Sequence, residues 1–111
     1  MEQKDESKVI RTKVDIGKTS VSLGHFDWKK EQKTTFVLTN AGNKPLVVEH
    51  VNTSCGCTSV DYSKEPVRPG NSILLNVTYK ADDPEHFDKT ITVYCNAESS
   101  PVVLRITGDA E

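Results

Sequence analysis

The chain has 111 residues, with 14 Lys and Arg against 16 Asp and Glu and a formal charge of −2. That length predicts one domain, large enough to bury roughly 60–70% of its unfolded surface without metal or disulfide staples. The balanced charge argues against a nucleic-acid backbone or an anionic membrane surface as partner, and apolar runs of four residues or fewer fall far short of the ~20 needed for a spanning helix.

Met1 to Lys8 carry five charges and no apolar stretch, so residues 1–8 are expected to form a disordered tail ahead of a single domain over 9–111. No signal peptide is visible, although a charged tail is also what remains when an export segment has been removed. Residues 9–16 and 19–23 are irregular strand candidates. The run TTFVLTN at 34–40 places Phe36 and Leu38 on one face and predicts a half-buried strand. Asn40-Ala41-Gly42-Asn43 then supplies turn chemistry. Residues 46–51 and 58–62 are two further irregular candidates.

In Arg68-Pro69-Gly70-Asn71, proline sets φ at the second position and glycine accepts φ > 0 at the third, which is a type II turn signature. Ile73, Leu75, Val77 and Tyr79 alternate along 73–79. Ile91, Val93 and Cys95 alternate along 91–95, and Val102, Leu104 and Ile106 along 102–107. Ala81-Asp82-Asp83-Pro84 and residues 96–101 mark the remaining turns. No stretch has the period of an amphipathic helix. Short strands with turns every 8–12 residues predict an all-β fold, an immunoglobulin-like antiparallel β-sandwich of about seven strands.

The candidate chemistry is concentrated in Cys55-Gly56-Cys57-Thr58. In an extended strand Cys55 and Cys57 share a face with Cα atoms about 6.5–7 Å apart, at the upper end of the disulfide range, so a direct bridge needs a turn. Gly56 is expected to permit it by adopting φ > 0. Four readings stay open: a Cys55 to Cys57 disulfide, a bridge to Cys95, free thiols packed near a strand end, and soft-metal binding with His50 the nearest further ligand. The spacing lacks the paired geometry of a structural zinc site.

Cys95 continues the Ile91 and Val93 face and is expected to be a buried, inert thiol. His25, His50 and His86 are scattered among charged residues and match no catalytic motif, so they read as surface histidines. Phe26 reads as packing, whereas Trp28 and Tyr94 are candidates for an exposed interaction surface. Asn52-Thr53-Ser54 and Asn76-Val77-Thr78 match the glycosylation sequon, which matters only in a eukaryotic secretory pathway.

Leu23-Gly24, Phe36, Thr39-Asn40-Ala41-Gly42, Pro45-Leu46, Ser54-Cys55-Gly56-Cys57-Thr58, Pro69-Gly70, Phe87, Lys89-Thr90-Ile91, Asn96, Leu104 and Gly108 occur in an order that resembles the bacterial domain-of-unknown-function family fifteen-seventy-three. The resemblance covers residues 19–108. It implies a Hydin-like and major-sperm-protein-like immunoglobulin fold, found mostly in exported or lipid-anchored envelope proteins, and it supplies no catalytic residue. Leu23 stands where that family often has Phe, and Cys95 is an additional thiol.

The expectation is therefore a non-enzymatic cell-envelope module, periplasmic or at the cell surface and lipid-anchored in a full-length precursor, that engages another envelope protein through a sheet edge or end loop. No catalytic residue, cofactor, metal ligand, small-molecule substrate or nucleic-acid partner is expected. The alternatives are thiol–disulfide redox or soft-metal chemistry at Cys55 and Cys57, and a structural spacer. Because Asn52 to Ser54 is polar and no Lys or Arg lies between His50 and Lys64, the Cys-Gly-Cys segment is expected to be an accessible loop-to-strand junction without enzymatic power.

Overall fold

A computed structural model describes residues 11–111, so the expected tail and the Val9 start of the first strand candidate lie outside the described residues. Eight strands follow in chain order: β1 (Val14–Ile16), β2 (Ser20–Phe26), β3 (Gln32–Asn40), β4 (Val48–Thr53), β5 (Thr58–Asp61), β6 (Ser72–Tyr79), β7 (Glu85–Cys95) and β8 (Val102–Ala110). They form two four-stranded sheets, ordered β1-β3-β6-β5 and β2-β8-β7-β4. The fold is an all-β, immunoglobulin-like sandwich.

The eight strands among the described residues agree with the expected sandwich of about seven. One feature departs from the expected antiparallel arrangement: β2 runs parallel to β8, pairing Ser20 with Arg105 and Val21 with Ile106. Antiparallel order is imposed where a hairpin joins neighbours. β2 and β8 are joined by most of the chain, so no turn dictates their relative direction.

The core comes directly from period-two alternation. In β6 the residues Ile73, Leu75, Val77 and Tyr79 point inward and are at most 3% exposed, while the residues between them face outward. Phe36 and Leu38 of β3, Ile91, Val93 and Cys95 of β7, and Val102, Leu104 and Ile106 of β8 complete the two inner faces. Burying each large apolar side chain contributes roughly 1.5–3 kcal/mol, and none of these inner-face residues takes part in the Cys55–Cys57 bridge. Cys95 is a free thiol in this core, its N–H donating to Ser100 Oγ at 3.0 Å.

Strands β7 and β8 extend beyond the runs marked by alternation, to Glu85 and Ala110 respectively. Phe87 is the one large apolar residue of the added stretch of β7. It stacks on Tyr79 at 4.0 Å between ring centroids, with Phe26 edge-on to both. Gly108 makes room for that ring, since a Cβ there would lie 2.8 Å from Phe87 Cζ.

The opposite end is held by polar contacts. Asn40 is 1% exposed. Its Oδ1 accepts from Thr12 Oγ1 at 2.7 Å and from the Gly42 N–H at 3.1 Å, and its Nδ2 donates to the carbonyls of Lys44 at 2.6 Å and Val67 at 2.9 Å. A Cβ at Gly42 would overlap the Thr12 hydroxyl, so this glycine is required by the close approach of the segment before β1. Nearby, Gly70 has φ +88° and the Asn71 N–H donates to the Arg68 carbonyl at 3.0 Å, which closes the expected type II turn. Leu46 precedes β4 and exchanges backbone hydrogen bonds with Val67 rather than joining the strand.

Candidate functional site

The outer strands of the two sheets differ in what they offer a partner. β1 is three residues long and contains Asp15, β5 is four long and ends at Asp61, and β4 carries Glu49 within a register shift. β2 is longer, seven residues, and contains no Pro, Lys, Asp or Glu. Natural sandwiches blunt such edges with charge, proline, bulges or brevity. The device present here is a shift in register between Ser22 and His25, where Gly24 adopts φ +72°.

Backbone parity fixes which groups of β2 point away from β8. The Arg105 N–H donates to the Thr19 carbonyl at 2.8 Å, so Thr19 and Val21 direct their backbone groups to β8. The N–H and C=O of Ser20 and Ser22 therefore face the side on which no strand lies among the described residues. Val21 and Leu23 are only partly buried against the core. The edge thus combines four outward backbone groups with two apolar side chains whose cover is incomplete.

Past the shift, β2, β8 and β7 set His25, Asp109 and His86 abreast. His86 Nδ1 lies 2.8 Å from Asp109 Oδ1, and His25 Nδ1 lies 2.7 Å from Glu111 Oε2 with its Nε2 3.7 Å from Asp109 Oδ2. The hydrogen bond to Glu111, followed by the charges of Glu111 and Asp109, raises the His25 pKa above its ordinary value. These residues read as scattered along the chain, because their proximity arises only from the β2–β8–β7 register. His50 lies elsewhere, stacked on Tyr94 with centroids 5.9 Å apart.

Trp28 and Tyr94 do not form one surface. The Trp28 N–H donates to the Glu111 carbonyl and its side chain packs partly against the core, at the end of the sandwich where Glu85 pairs with Ala110. Tyr94 is exposed near the far end of β7, nine residues beyond Glu85, or roughly 30 Å along the strand.

The cysteine turn joins β4 to β5 and crosses between the sheets. Cys55 and Cys57 are disulfide-bonded to each other with Cα atoms 5.2 Å apart. A bridge to Cys95 is therefore not formed. The expected role of Gly56 needs correction, since Gly24 and Gly70 are the glycines with positive φ among the described residues. The turn is closed instead by the Thr58 N–H, which donates to the Cys55 carbonyl at 3.1 Å, and by Thr53 Oγ1, which donates to the same oxygen at 3.1 Å. Gly56 leaves open space, with nothing within 4 Å of where a Cβ would stand.

Both flanks of the turn are tied down. The Ser54 N–H donates to the Thr90 carbonyl at 3.0 Å, the Thr90 N–H donates back to Ser54 Oγ at 3.0 Å, and the Lys80 N–H donates to the Cys57 carbonyl at 2.9 Å. The Cys57 N–H points at Cys55 Sγ at 3.1 Å. Thr58 Oγ1 is buried without a hydrogen-bond partner among the described residues. Among those residues, no three His, Cys, Asp or Glu side chains are arranged to hold a metal ion.

Residues 14–110 match the family model described as Protein of unknown function (DUF1573). The chain belongs to this family. Among curated proteins none matches the chain. Among solved structures, a protein of unknown function from Porphyromonas gingivalis W83 superposes on 93% of this DUF1573 chain with a TM-score of 0.76 and 22% identity. The ASH/PapD-like domain 7 of human CEP192 superposes on 91% of it, over 87% of that domain, with a TM-score of 0.76 and 10% identity. The secreted serine protease VesC from Vibrio cholerae matches over 96% of this chain and 25% of its own, with a TM-score of 0.67 and 12% identity. The chain spans about half, 48%, of the Porphyromonas gingivalis protein. At these identities the likeness shows a shared immunoglobulin-like β-sandwich fold.

Proposed function

We propose that this DUF1573 domain is a non-enzymatic protein-binding module of the bacterial cell envelope that accepts an extended segment of another protein on the edge of β2 that has no strand neighbour among the described residues. The observation that carries this reading is the outward set of Ser20 and Ser22 backbone groups on an edge without charge or proline in its first four residues. Strand addition uses this combination: main-chain hydrogen bonds supply affinity and alternate side chains supply selectivity. A partner strand would also cover Val21 and Leu23.

The envelope setting rests on the resemblance of the Cys-Gly-Cys-Thr and Asn-x-Gly series to exported bacterial proteins, and on a neighbour, VesC, that is itself secreted. The chain matches a quarter of VesC and about half of the Porphyromonas gingivalis protein, which suits a module working beside other domains.

The test is selection from a displayed library of extended peptides, followed by backbone amide exchange on the complexes. Bound peptides are expected to slow exchange at Ser20 and Ser22. Ser20→Pro deletes an outward N–H while sparing the ladder to β8, and is expected to weaken those peptides about fivefold to tenfold. Binders that protect another strand, or that bind Ser20→Pro as well as the wild type, would refute the proposal.

A further inference from the structure

Strand binding at β2 makes no use of the cysteine turn, which lies at the junction of β4 and β5. We infer that Cys55 and Cys57 form a thiol–disulfide exchange site for a protein dithiol, in which Cys55 is the sulfur that leaves as a thiolate.

The Cys57 N–H is aimed at Cys55 Sγ at 3.1 Å while the disulfide is intact. A neutral disulfide sulfur is a weak acceptor, whereas hydrogen bonds to an ionised acceptor are about twice as strong as those between neutral groups. The same N–H therefore stabilises a Cys55 thiolate more than it stabilises the bridge. Among the described residues no hydrogen bond is donated to Cys57 Sγ, so the two sulfurs are unequal. A lower thiol pKa makes the better leaving group. No Lys or Arg lies between His50 and Lys64, and the turn performs this task with a backbone donor.

The framework of the turn does not depend on sulfur. Thr58 and Thr53 hold the Cys55 carbonyl, Lys80 holds the Cys57 carbonyl, and Ser54 and Thr90 hold each other. Opening the bridge leaves these bonds in place and keeps the two thiols adjacent, ready to close again. Both cysteines are half-buried rather than sealed in the core, and the open space at Gly56 leaves an approach to the bridge.

In the exchange, one thiolate of the partner attacks Cys57 Sγ. A mixed disulfide forms, the Cys55–Cys57 bond breaks, and its electron pair leaves on Cys55 Sγ, which then takes a proton. The partner's second thiolate attacks the partner sulfur of the mixed disulfide, and Cys57 leaves and is protonated. The partner dithiol is oxidised to a disulfide and this pair is reduced, with two electrons and two protons transferred. A monothiol would stall at the first step, because Cys55 is held in position to expel it. The second thiol of a dithiol competes with that return.

Dithiothreitol serves as the dithiol probe, with the fold followed by circular dichroism and each thiol mapped by alkylation and peptide mass spectrometry. The native wild type is expected to be reduced at Cys55 and Cys57 without loss of fold. In the single variants Cys57→Ser and Cys55→Ser, the remaining Cys55 thiol is expected to alkylate about tenfold faster at neutral pH than the remaining Cys57 thiol. A bridge reduced only after denaturation, a fold lost on reduction, or a Cys55 thiol no more reactive than Cys57 would each overturn the inference.

Discussion

Replacing Asn40 tests whether one buried amide holds the end of the sandwich formed by the segment before β1 and the turns after β3 and before β6. Asn40→Ala deletes four hydrogen bonds, those with the Thr12 hydroxyl, the Gly42 N–H and the carbonyls of Lys44 and Val67. At about 1 kcal/mol net for each bond the gross loss is about 4 kcal/mol. The contacts to Gly42, Lys44 and Val67 are only part-buried, so some of those groups regain water and the net loss settles at ~3 kcal/mol. For a domain of this size that lowers Tm by roughly 12–24 °C. Asn40→Asp keeps the acceptor but turns both amide donors into oxygen, facing two carbonyls from a site 1% exposed. Burial and those carbonyls raise the pKa of the introduced carboxyl. Its penalty is therefore full above that raised value and shrinks as pH falls through it. Urea titrations followed by Trp28 fluorescence and circular dichroism measure both variants. An Asn40→Ala midpoint shift worth less than ~1 kcal/mol at unchanged m would refute the network argument.

Three further outcomes follow from other parts of the molecule. Cys55→Ser with Cys57→Ser is expected to fold and to lose about 1–2 kcal/mol, because the bridge closes a very short loop; an unfolded double variant by circular dichroism would show that the apolar faces are insufficient. Thr58→Val removes a buried hydroxyl that has no partner among the described residues and is expected to be neutral or to stabilise by up to ~1 kcal/mol. A loss of similar size in urea melts would reveal a partner for that hydroxyl. His25 is expected to titrate above the ordinary imidazole value in proton NMR, and Glu111→Gln to lower it. Since its folded pKa is the raised one, its stabilising effect is present in full below the unfolded value and fades as pH rises through the folded value. An unchanged His25 titration in Glu111→Gln would contradict the assigned cause.

The parts of the molecule governed by nearest-neighbour chemistry are legible from the chain alone. Alternation in β6 and β8 sets the core because successive side chains point to opposite faces, and the burial of Cys95 follows from the same rule. Arg68-Pro69-Gly70-Asn71 dictates its own turn. Elsewhere the local signal is silent or misleading. Asn40 has the look of a turn residue and is a buried hub, because its partners come from segments up to 28 positions away. The polar stretch of β7 from Glu85 is strand because β8 pairs with it, and Gly108 fits there because the Phe87 ring packs within 2.8 Å of where a Cβ would stand. The parallel β2–β8 pairing, the meeting of His25 with Asp109 and His86, and the outward direction of the Ser20 and Ser22 backbone groups depend on register between strands far apart in sequence. Even within Cys55-Gly56-Cys57-Thr58, the donor aimed at Cys55 Sγ arises from how the turn closes, and that closure is set by bonds from Thr53, Thr58 and Lys80. Side-chain period is a property of a strand; which strand lies beside it, and in what register, is decided by packing the whole chain.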